Sequence, residues 1–179
     1  AGAGLEPDFL LLAPGEDGLF RLQGGVLCFP TLWALEEKMG GTMEEIHGVV
    51  PGLNSSLGGP LNQFLTRMKP GPAYLRANWG LAATPELNLH PALSRPRLAS
   101  PLDPDRTWLR VEHQALAALP ASGGIVFGIR IAVYPLRDVL ADSDTRAGFH
   151  RALRTMPEPL VAYKGLAPVR ADLLTLAAG

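Results

Sequence analysis

The first thirty residues alternate between short apolar runs and clusters of glycine and proline, a pattern typical of β-strands joined by turns. We predict strands over 8–12, 19–22 and 26–29, with a turn at Gly24-Gly25 before the third of them. Because each strand follows the previous one after a short turn, the three are expected to form an antiparallel meander.

Apolar residues at helical spacing follow this meander. Leu32, Leu35 and Met39 fall on one face of a helix that we predict to begin near Thr31. Gly40 stands where such a helix would end, since glycine is the residue most often found just past a helix C-terminus.

A second helix start is indicated by a capping-box pattern. Thr42 is followed three residues later by Glu45, so that each side chain can bond the backbone N–H of the other. The pattern predicts a short helix that carries His47. We expect a loop over 48–59 and then a helix over 61–68.

The second half of the chain predicts a sheet followed by helices. Residues 73–81, 107–117 and 125–134 alternate between apolar and polar positions, and the last two are expected to form a hairpin. A proline-rich loop of about twenty residues separates the first two, and a loop of this length is often functional. Helices are predicted over 135–140, 143–156 and 168–177. The expected fold class is α+β, an antiparallel sheet with flanking helices.

Composition narrows the kinds of partner. The 179 residues are 47% hydrophobic and 18% charged, which is enough apolar material for the core of one domain. The formal net charge of −1 offers no electrostatic attraction to nucleic acid or to an anionic membrane. No apolar run is long enough to span a bilayer. The chain opens on Ala-Gly-Ala-Gly without an initiator methionine, so we expect it to begin inside a longer gene product.

Several kinds of site are excluded. The single cysteine, Cys28, cannot form an internal disulfide or a cysteine-built metal cage, and it favours a cytoplasmic setting. The chain has no GxGxxG, GxxxxGKS/T or GxSxG motif. It therefore has no recognisable site for its own dinucleotide, and electrons for any redox reaction are expected to come from another protein.

Four histidines remain as candidate ligands. His47 has the richest context, because Glu44 precedes it at the i, i+3 spacing that carboxylate–histidine metal sites use; the alternative is a surface histidine at a helix end. His113 falls on the apolar face of a predicted strand, where a core histidine is the usual interpretation. His90 lies in the long loop and His150 on the polar face of a helix.

A succession of short motifs over roughly residues 8–166 resembles the haem-dependent oxidative N-demethylase-like family. No single motif is diagnostic, and the resemblance rests on their order. The motifs are Cys28-Phe29-Pro30-Thr31-x-Trp33-x-Leu35-x-Glu37-Lys38-x-Gly40-x-x-Met43-x-x-Ile46-His47-x-x-Val50-Pro51, Arg76-x-Asn78-Trp79, Arg110-Val111-Glu112-x-Gln114-x-Leu116-x-x-Leu119-Pro120-x-Ser122, Val126-Phe127-x-Ile129-Arg130 and Tyr163-Lys164-Gly165.

The resemblance implies a single haem-binding PAS-like domain over residues 1–179, in which a sheet with flanking helices encloses haem b. It places the axial iron ligand at His47. The implied activity is oxidative removal of a methyl group from a small methylated amine with O2, releasing formaldehyde. Electrons would come from a separate flavin- and NADPH-dependent reductase.

A haem b pocket needs an apolar slot for the macrocycle and donors for two propionates. Forked guanidinium groups suit propionates, and aromatic side chains suit the slot; solvated sheet-face and plain core positions are the respective alternatives. Glu112 could counter an ammonium substrate or relay protons, or could form a surface salt bridge instead. The predicted cofactor-binding residues are Arg76, Trp79, Arg110, Phe127 and Arg130.

Three positions depart from the family's usual residues. Val49 stands in place of proline, Leu53 in place of an aromatic residue and His113 in place of arginine. The third departure removes a cation and so favours an alternative function, a non-catalytic PAS-like haem sensor or carrier or an inactive subunit. A further alternative is a non-haem metal hydrolase that uses His47, His90 and His113.

Overall fold

The computed structural model describes residues 7–179, apart from the side chains of residues 53–58. Five strands form one antiparallel open sheet in the order β2-β1-β5-β4-β3, and helices follow β2 and β5 along the chain. The predicted α+β fold, an antiparallel sheet with flanking helices, is therefore confirmed. The strands are β1 (Asp8–Pro14), β2 (Phe20–Val26), β3 (Ala73–Ala82), β4 (Trp108–Ala118) and β5 (Ile125–Pro135).

Helices lie between β2 and β3 and after β5. Short 3-10 turns occur at Pro91–Leu93, Pro104–Arg106 and Ala167–Val169. Within residues 7–179, no helix is long and apolar enough to cross a membrane. The helices are α1 (Met43–His47), α2 (Leu53–Arg67), α3 (Leu136–Ala141), α4 (Ser143–Thr155), α5 (Glu158–Tyr163) and α6 (Arg170–Ala178).

The turn predicted at Gly24-Gly25 is wrong, because both glycines lie inside β2. A Cβ atom added to Gly25 would stand 2.5 Å from the carbonyl oxygen of Phe9, so this glycine permits close approach of two strands. The strand predicted over 26–29 is accordingly the end of β2 followed by irregular chain.

The helix predicted near Thr31 is also absent. Thr31 pairs with Leu89 in an isolated β-bridge, and the Leu32 N–H donates to the Leu89 carbonyl at 3.2 Å. Leu32 adopts a φ of 59°, which is left-handed and ends any right-handed helix at this point. Pairing with a distant segment has overridden the local apolar spacing.

Two helices differ from their predicted extents. α2 begins at Leu53, so it includes most of the predicted loop over 48–59 and holds Pro60 in its interior. Proline lacks an N–H, so one hydrogen bond of the helix is missing there. α5 was not predicted; it is a helix of six residues between two prolines, Pro157 and Pro168, and too short to show apolar periodicity.

The chain divides into two compact units. The first unit contains the described residues up to Asn78, together with Asn88–Ala92 and Glu112–Ile131. Its core lies on one face of the sheet, where buried residues of β1 and β5 are paired in register. The buried Asp8 carboxylate accepts the backbone N–H groups of Cys28 and Phe29 at 2.7 and 2.9 Å. In this core Leu12 pairs with Ile125, Leu10 with Phe127 and Ile129 with Asp8.

The second unit contains Trp79–Leu87, Leu93–Val111 and Ala132–Gly179. Its core is formed by the C-terminal helices. Arg170, at the start of α6, links this helix to the end of α4 by donating to the carbonyl oxygens of Leu153 and Met156 at 2.9 and 3.0 Å. The buried core residues are Leu136, Val139, Phe149, Leu153, Met156, Val161, Leu166, Val169, Leu173 and Ala177.

Candidate functional site

α1 holds His47 at a fixed place because both of its ends are capped. The Glu45 N–H donates to the Thr42 hydroxyl at 3.2 Å, and the Thr42 N–H donates to the Glu45 carboxylate at 2.8 Å, which confirms the predicted capping box. The Val50 N–H donates to the His47 carbonyl at 2.9 Å and turns the chain away from the helix. His47 is thus the last residue of a short helix with a defined start.

The His47 imidazole is half-buried and incompletely satisfied. Its Nδ1 atom is shielded from solvent and has no hydrogen-bond partner. Burial lowers the pKa of His47, and the positive charges of Arg76 and Lys38 lower it further, while the Met43 carbonyl opposes these effects without reaching Nδ1 in normal hydrogen-bond geometry. His47 is therefore neutral near pH 7, the form in which imidazole binds metals.

Glu44, which precedes His47 at i, i+3 spacing, does not hold the Nδ1 side of the imidazole ring. Glu44 is exposed and does not accept a hydrogen bond from His47 Nδ1. The i, i+3 spacing places the two side chains on adjacent parts of a five-residue helix, but it does not by itself bring the carboxylate to Nδ1.

A chain of hydrogen-bonded polar side chains crosses from β3 to β4. Arg76 Nε donates to Gln114 Oε1 at 2.5 Å, and Gln114 Nε2 donates to Glu112 Oε2 at 2.8 Å. Asn78 Nδ2 donates to the same Glu112 oxygen at 3.3 Å. Gln114 is only 6% exposed, so the centre of this chain is buried while Arg76 at its end is exposed. We call these four residues the β3–β4 polar chain.

The polar chain lies on the helix side of the first unit. Tyr74, Arg76 and Asn78 alternate along β3 and share one face. On that face the Tyr74 ring contacts the Phe64 ring of α2, with ring centroids 5.0 Å apart. α1 contacts α2 and so lies on the same side.

The other face of the sheet in this unit forms a groove of about 550 Å³. Phe9, His113 and Arg130 are among the residues that line it, and Arg76 and Gln114 of the polar chain border it as well, although their hydrogen-bonded side chains lie on the other face. Phe127 alternates with Gly128 and pairs with the buried Leu10, so it lies on the opposite face from the groove.

The prediction that His113 is a core histidine is wrong, because its side chain is exposed at the groove. Side-chain hydrogen bonds and strand alternation thus put Arg76 and Glu112 on the side of the sheet that carries Phe127, where α1 with His47 also lies. The same alternation directs Arg130 and His113 to the other face.

Trp79 belongs to the second unit. Its ring contacts Phe149 at a centroid distance of 5.6 Å, and Lys164 Nζ lies 5.4 Å from the ring centroid. The same ammonium group donates to the Trp79 carbonyl at 2.5 Å. These contacts make Trp79 part of the helical core of that unit.

Arg110 also belongs to the second unit and is only 2% exposed. Its guanidinium donates to the carbonyl oxygens of Leu87 at 2.7 Å and Glu86 at 3.3 Å. The alternative interpretation of Arg110 as a solvated sheet-face residue is therefore wrong. Because these donors hold the long loop, we do not include Arg110 in the candidate site.

The remaining histidines do not gather around His47. His90 Nδ1 accepts the Ala92 N–H at 3.2 Å, and its Nε2 lies 3.5 Å from a carboxylate oxygen of Glu36. Across residues 7–179, apart from the side chains of 53–58, no group of three or more His, Cys, Asp or Glu side chains is placed to hold a metal ion. A metal at His47 would therefore have to bring its other ligands with it, as the iron of haem does.

Sequence reasoning missed two members of the site, Gln114 and Asn78. Both stand in the motifs of the resemblance, at two-residue spacing from Glu112 and Arg76. That spacing puts them on the same strand faces and was the available signal. The pairing itself depends on the register of β3 against β4, which no local pattern specifies.

These observations fit a haem protein. The buried His47 Nδ1 atom belongs to a neutral imidazole and has no hydrogen-bond partner. Arg76 provides a guanidinium group on the same side of the sheet. The fold and the site together define an α+β protein with a half-buried, neutral histidine at the end of α1. The family model described as haem-dependent oxidative N-demethylase, alpha subunit-like matches residues 1–174. The chain belongs to that family.

Proposed function

We propose that this chain is the haem b-binding subunit of an enzyme that removes a methyl group oxidatively from a small methylated amine. The observation that carries the proposal is the His47 imidazole, which is neutral and half-buried, has an unpartnered Nδ1 and has its pKa lowered by burial and by the charge of Arg76. Membership of a haem-dependent family supports the proposal independently.

His47 is the proposed axial ligand. A lone pair on a neutral imidazole binds iron without first losing a proton, and an Nδ1 atom without a partner gains an interaction when a metal or a donor reaches it. The proposal does not depend on which ring nitrogen binds iron. If Nε2 binds iron, the buried Nδ1–H can donate a hydrogen bond that fixes the orientation of the ring.

Arg76 and Phe127 are the proposed contacts to the macrocycle. The Arg76 guanidinium is fixed at Nε by Gln114, which leaves its fork to bind a propionate carboxylate in two-point fashion. Phe127 is half-buried on the helix side of β5 and supplies apolar surface. The roles predicted for Trp79, Arg110 and Arg130 remain predictions, and our proposal does not use them.

Glu112 is the proposed recognition group for the amine. Its Oε2 atom already accepts hydrogen bonds from Gln114 and Asn78, which fix the carboxylate while its other oxygen can accept from an ammonium N–H. A methylated amine near neutral pH is a cation, so a fixed carboxylate orients it and can hold the proton that leaves nitrogen.

The overall reaction balances with one O2 and two electrons. Bound haem would supply the activation of O2. One oxygen atom enters the N-methyl C–H bond and the other leaves as water with two protons; the resulting carbinolamine breaks its C–N bond to give formaldehyde and the demethylated amine. The two electrons would come from a separate flavin- and NADPH-dependent reductase, in keeping with a family named for an alpha subunit. We place this reaction in the cytoplasm.

Absorption spectra of the haem-supplemented protein test this proposal. We expect a Soret band that shifts on reduction and again with CO, and His47→Ala should abolish or strongly change these spectra with the far-UV circular dichroism unchanged. Normal spectra in His47→Ala would exclude His47 as the ligand. The haem-loaded protein, supplied continuously with electrons by a chemical reductant and given dimethylamine and O2, should release formaldehyde; gas binding without amine-dependent O2 consumption would instead identify a haem sensor or carrier.

A further inference from the structure

We propose that Gln114 is a positioning residue that holds the haem-binding and the amine-binding side chains through the two ends of one carboxamide. The inference rests on the proposed function, because it assigns Arg76 to the haem and Glu112 to the amine. It adds a residue that touches neither ligand and yet fixes the side chains that do.

The carboxamide of Gln114 has one orientation that satisfies both neighbours. Its oxygen is an acceptor and can only receive the Arg76 N–H, while its nitrogen is a donor and can only bond the Glu112 carboxylate. The opposite rotamer would set nitrogen against guanidinium and oxygen against carboxylate. Both bonds involve a charged partner, the class of hydrogen bond with the larger energies.

Burial of Gln114 makes this arrangement rigid. The side chain is 6% exposed, so water is not available to replace either partner. Arg76 is exposed and would otherwise sample many rotamers. The buried Gln114 amide therefore holds the exposed Arg76 side chain at its Nε atom. Asn78, on β3, holds Glu112 by a further hydrogen bond.

Two substitutions at Gln114 distinguish its hydrogen bond to Arg76 from its hydrogen bond to Glu112. Gln114→Glu keeps an acceptor for Arg76 but loses the donor to Glu112 and adds a second negative charge beside it. Gln114→Met is close in length and loses both bonds. The strand neighbour His113, which is exposed on the opposite face, provides the control His113→Ala.

The measurements are haem b affinity of the full chain by Soret titration, and dimethylammonium affinity of the haem-loaded protein by its absorption change. We expect Gln114→Met to weaken both affinities, each by roughly tenfold, the loss expected for one charged hydrogen bond. Gln114→Glu should keep haem affinity within about threefold and lose amine affinity by tenfold or more. Asn78→Ala should weaken the amine alone, and His113→Ala neither.

Thermal unfolding of each variant separates positioning from stability. A merely structural role predicts that Gln114→Glu and Gln114→Met lower both affinities in proportion to their loss of stability. That pattern, or wild-type affinities in both variants, would overturn the inference while leaving the proposed function in place. Failure of the wild-type chain to bind haem would overturn the proposed function, and failure to respond to dimethylammonium would overturn the role of Glu112.

Discussion

Two arginines on neighbouring strands, Arg76 in β3 and Arg110 in β4, have opposite environments. Arg110 belongs to the second unit, is 2% exposed and donates to two backbone carbonyls of the long loop. Arg76 belongs to the first unit, is exposed and is held by a buried glutamine side chain. From the sequence alone, both arginines are equally good candidates to bind a haem propionate. Only their hydrogen-bond partners in the structure distinguish them.

The difference shows how one side chain can serve stability or binding. A guanidinium that satisfies buried carbonyls cannot leave them without exposing unpaired acceptors, so it is part of the fold. A guanidinium fixed at one nitrogen by a side chain has its remaining donors directed outward, and it can bind an anion at small cost in entropy. By this criterion Arg76 is a candidate ligand-binding residue and Arg110 a structural one.

The largest expected effect comes from removing the structural arginine. Arg110→Met should lower the free energy of unfolding by about 3 kcal/mol, because it removes charged hydrogen bonds and leaves the Glu86 and Leu87 carbonyls unpaired. The measurement is urea unfolding followed by circular dichroism.

Arg76→Met is the matched control for that experiment. The side chain is exposed, and its loss leaves only the buried Gln114 Oε1 atom without its donor. The free energy of unfolding should therefore fall by about 1 kcal/mol, well below the loss expected for Arg110→Met, while haem binding weakens. Equal destabilisation by the two substitutions would contradict the distinction between a structural and a binding arginine.

The close approach of β1 and β2 at Gly25 gives a second, smaller effect on stability. Gly25→Ala should lower the free energy of unfolding by about 1–3 kcal/mol. The new methyl group would stand 2.5 Å from the Phe9 carbonyl oxygen, so the two strands would have to separate. Gly24 has open space at its Cβ position, so Gly24→Ala in the same strand is the control. If both variants unfold at the same urea concentration, close approach is not the reason for glycine at position 25.

Local patterns predicted the elements that local interactions determine. The capping box at Thr42 and Glu45 placed α1 correctly, and strict alternation placed β3, β4 and β5 within a residue or two of their observed ends. In each case the residues that form the pattern also form the contacts.

Long-range pairing explains the failures. Thr31 and Leu89 are far apart in sequence, and their bridge replaced a helix that apolar spacing had favoured. Gly25 resembled a turn residue, but its role is set by Phe9 on another strand. The polar chain was not predicted for the same reason, since Arg76 and Gln114 are thirty-eight residues apart in sequence and meet only through the register of β3 against β4.

The smallest expected effect concerns acid stability of the second unit. Asp142 caps α4 by accepting the Thr145 N–H at 2.8 Å, and hydrogen bonds from Thr145 hold the pKa of Asp142 below its ordinary value. The lowered pKa means that the folded state binds fewer protons than the unfolded state. This contribution to stability is therefore complete above the ordinary aspartate pKa and is lost as pH falls through the lower folded value.

Asp142→Asn tests this contribution, because asparagine caps helices nearly as well as aspartate but does not titrate. We expect a slightly lower unfolding temperature than wild type at neutral pH, and a difference that shrinks as pH falls through the acidic range. A constant difference between Asp142→Asn and wild type at every pH would mean that the Asp142 charge does not contribute, and that the cap acts through its hydrogen bond alone.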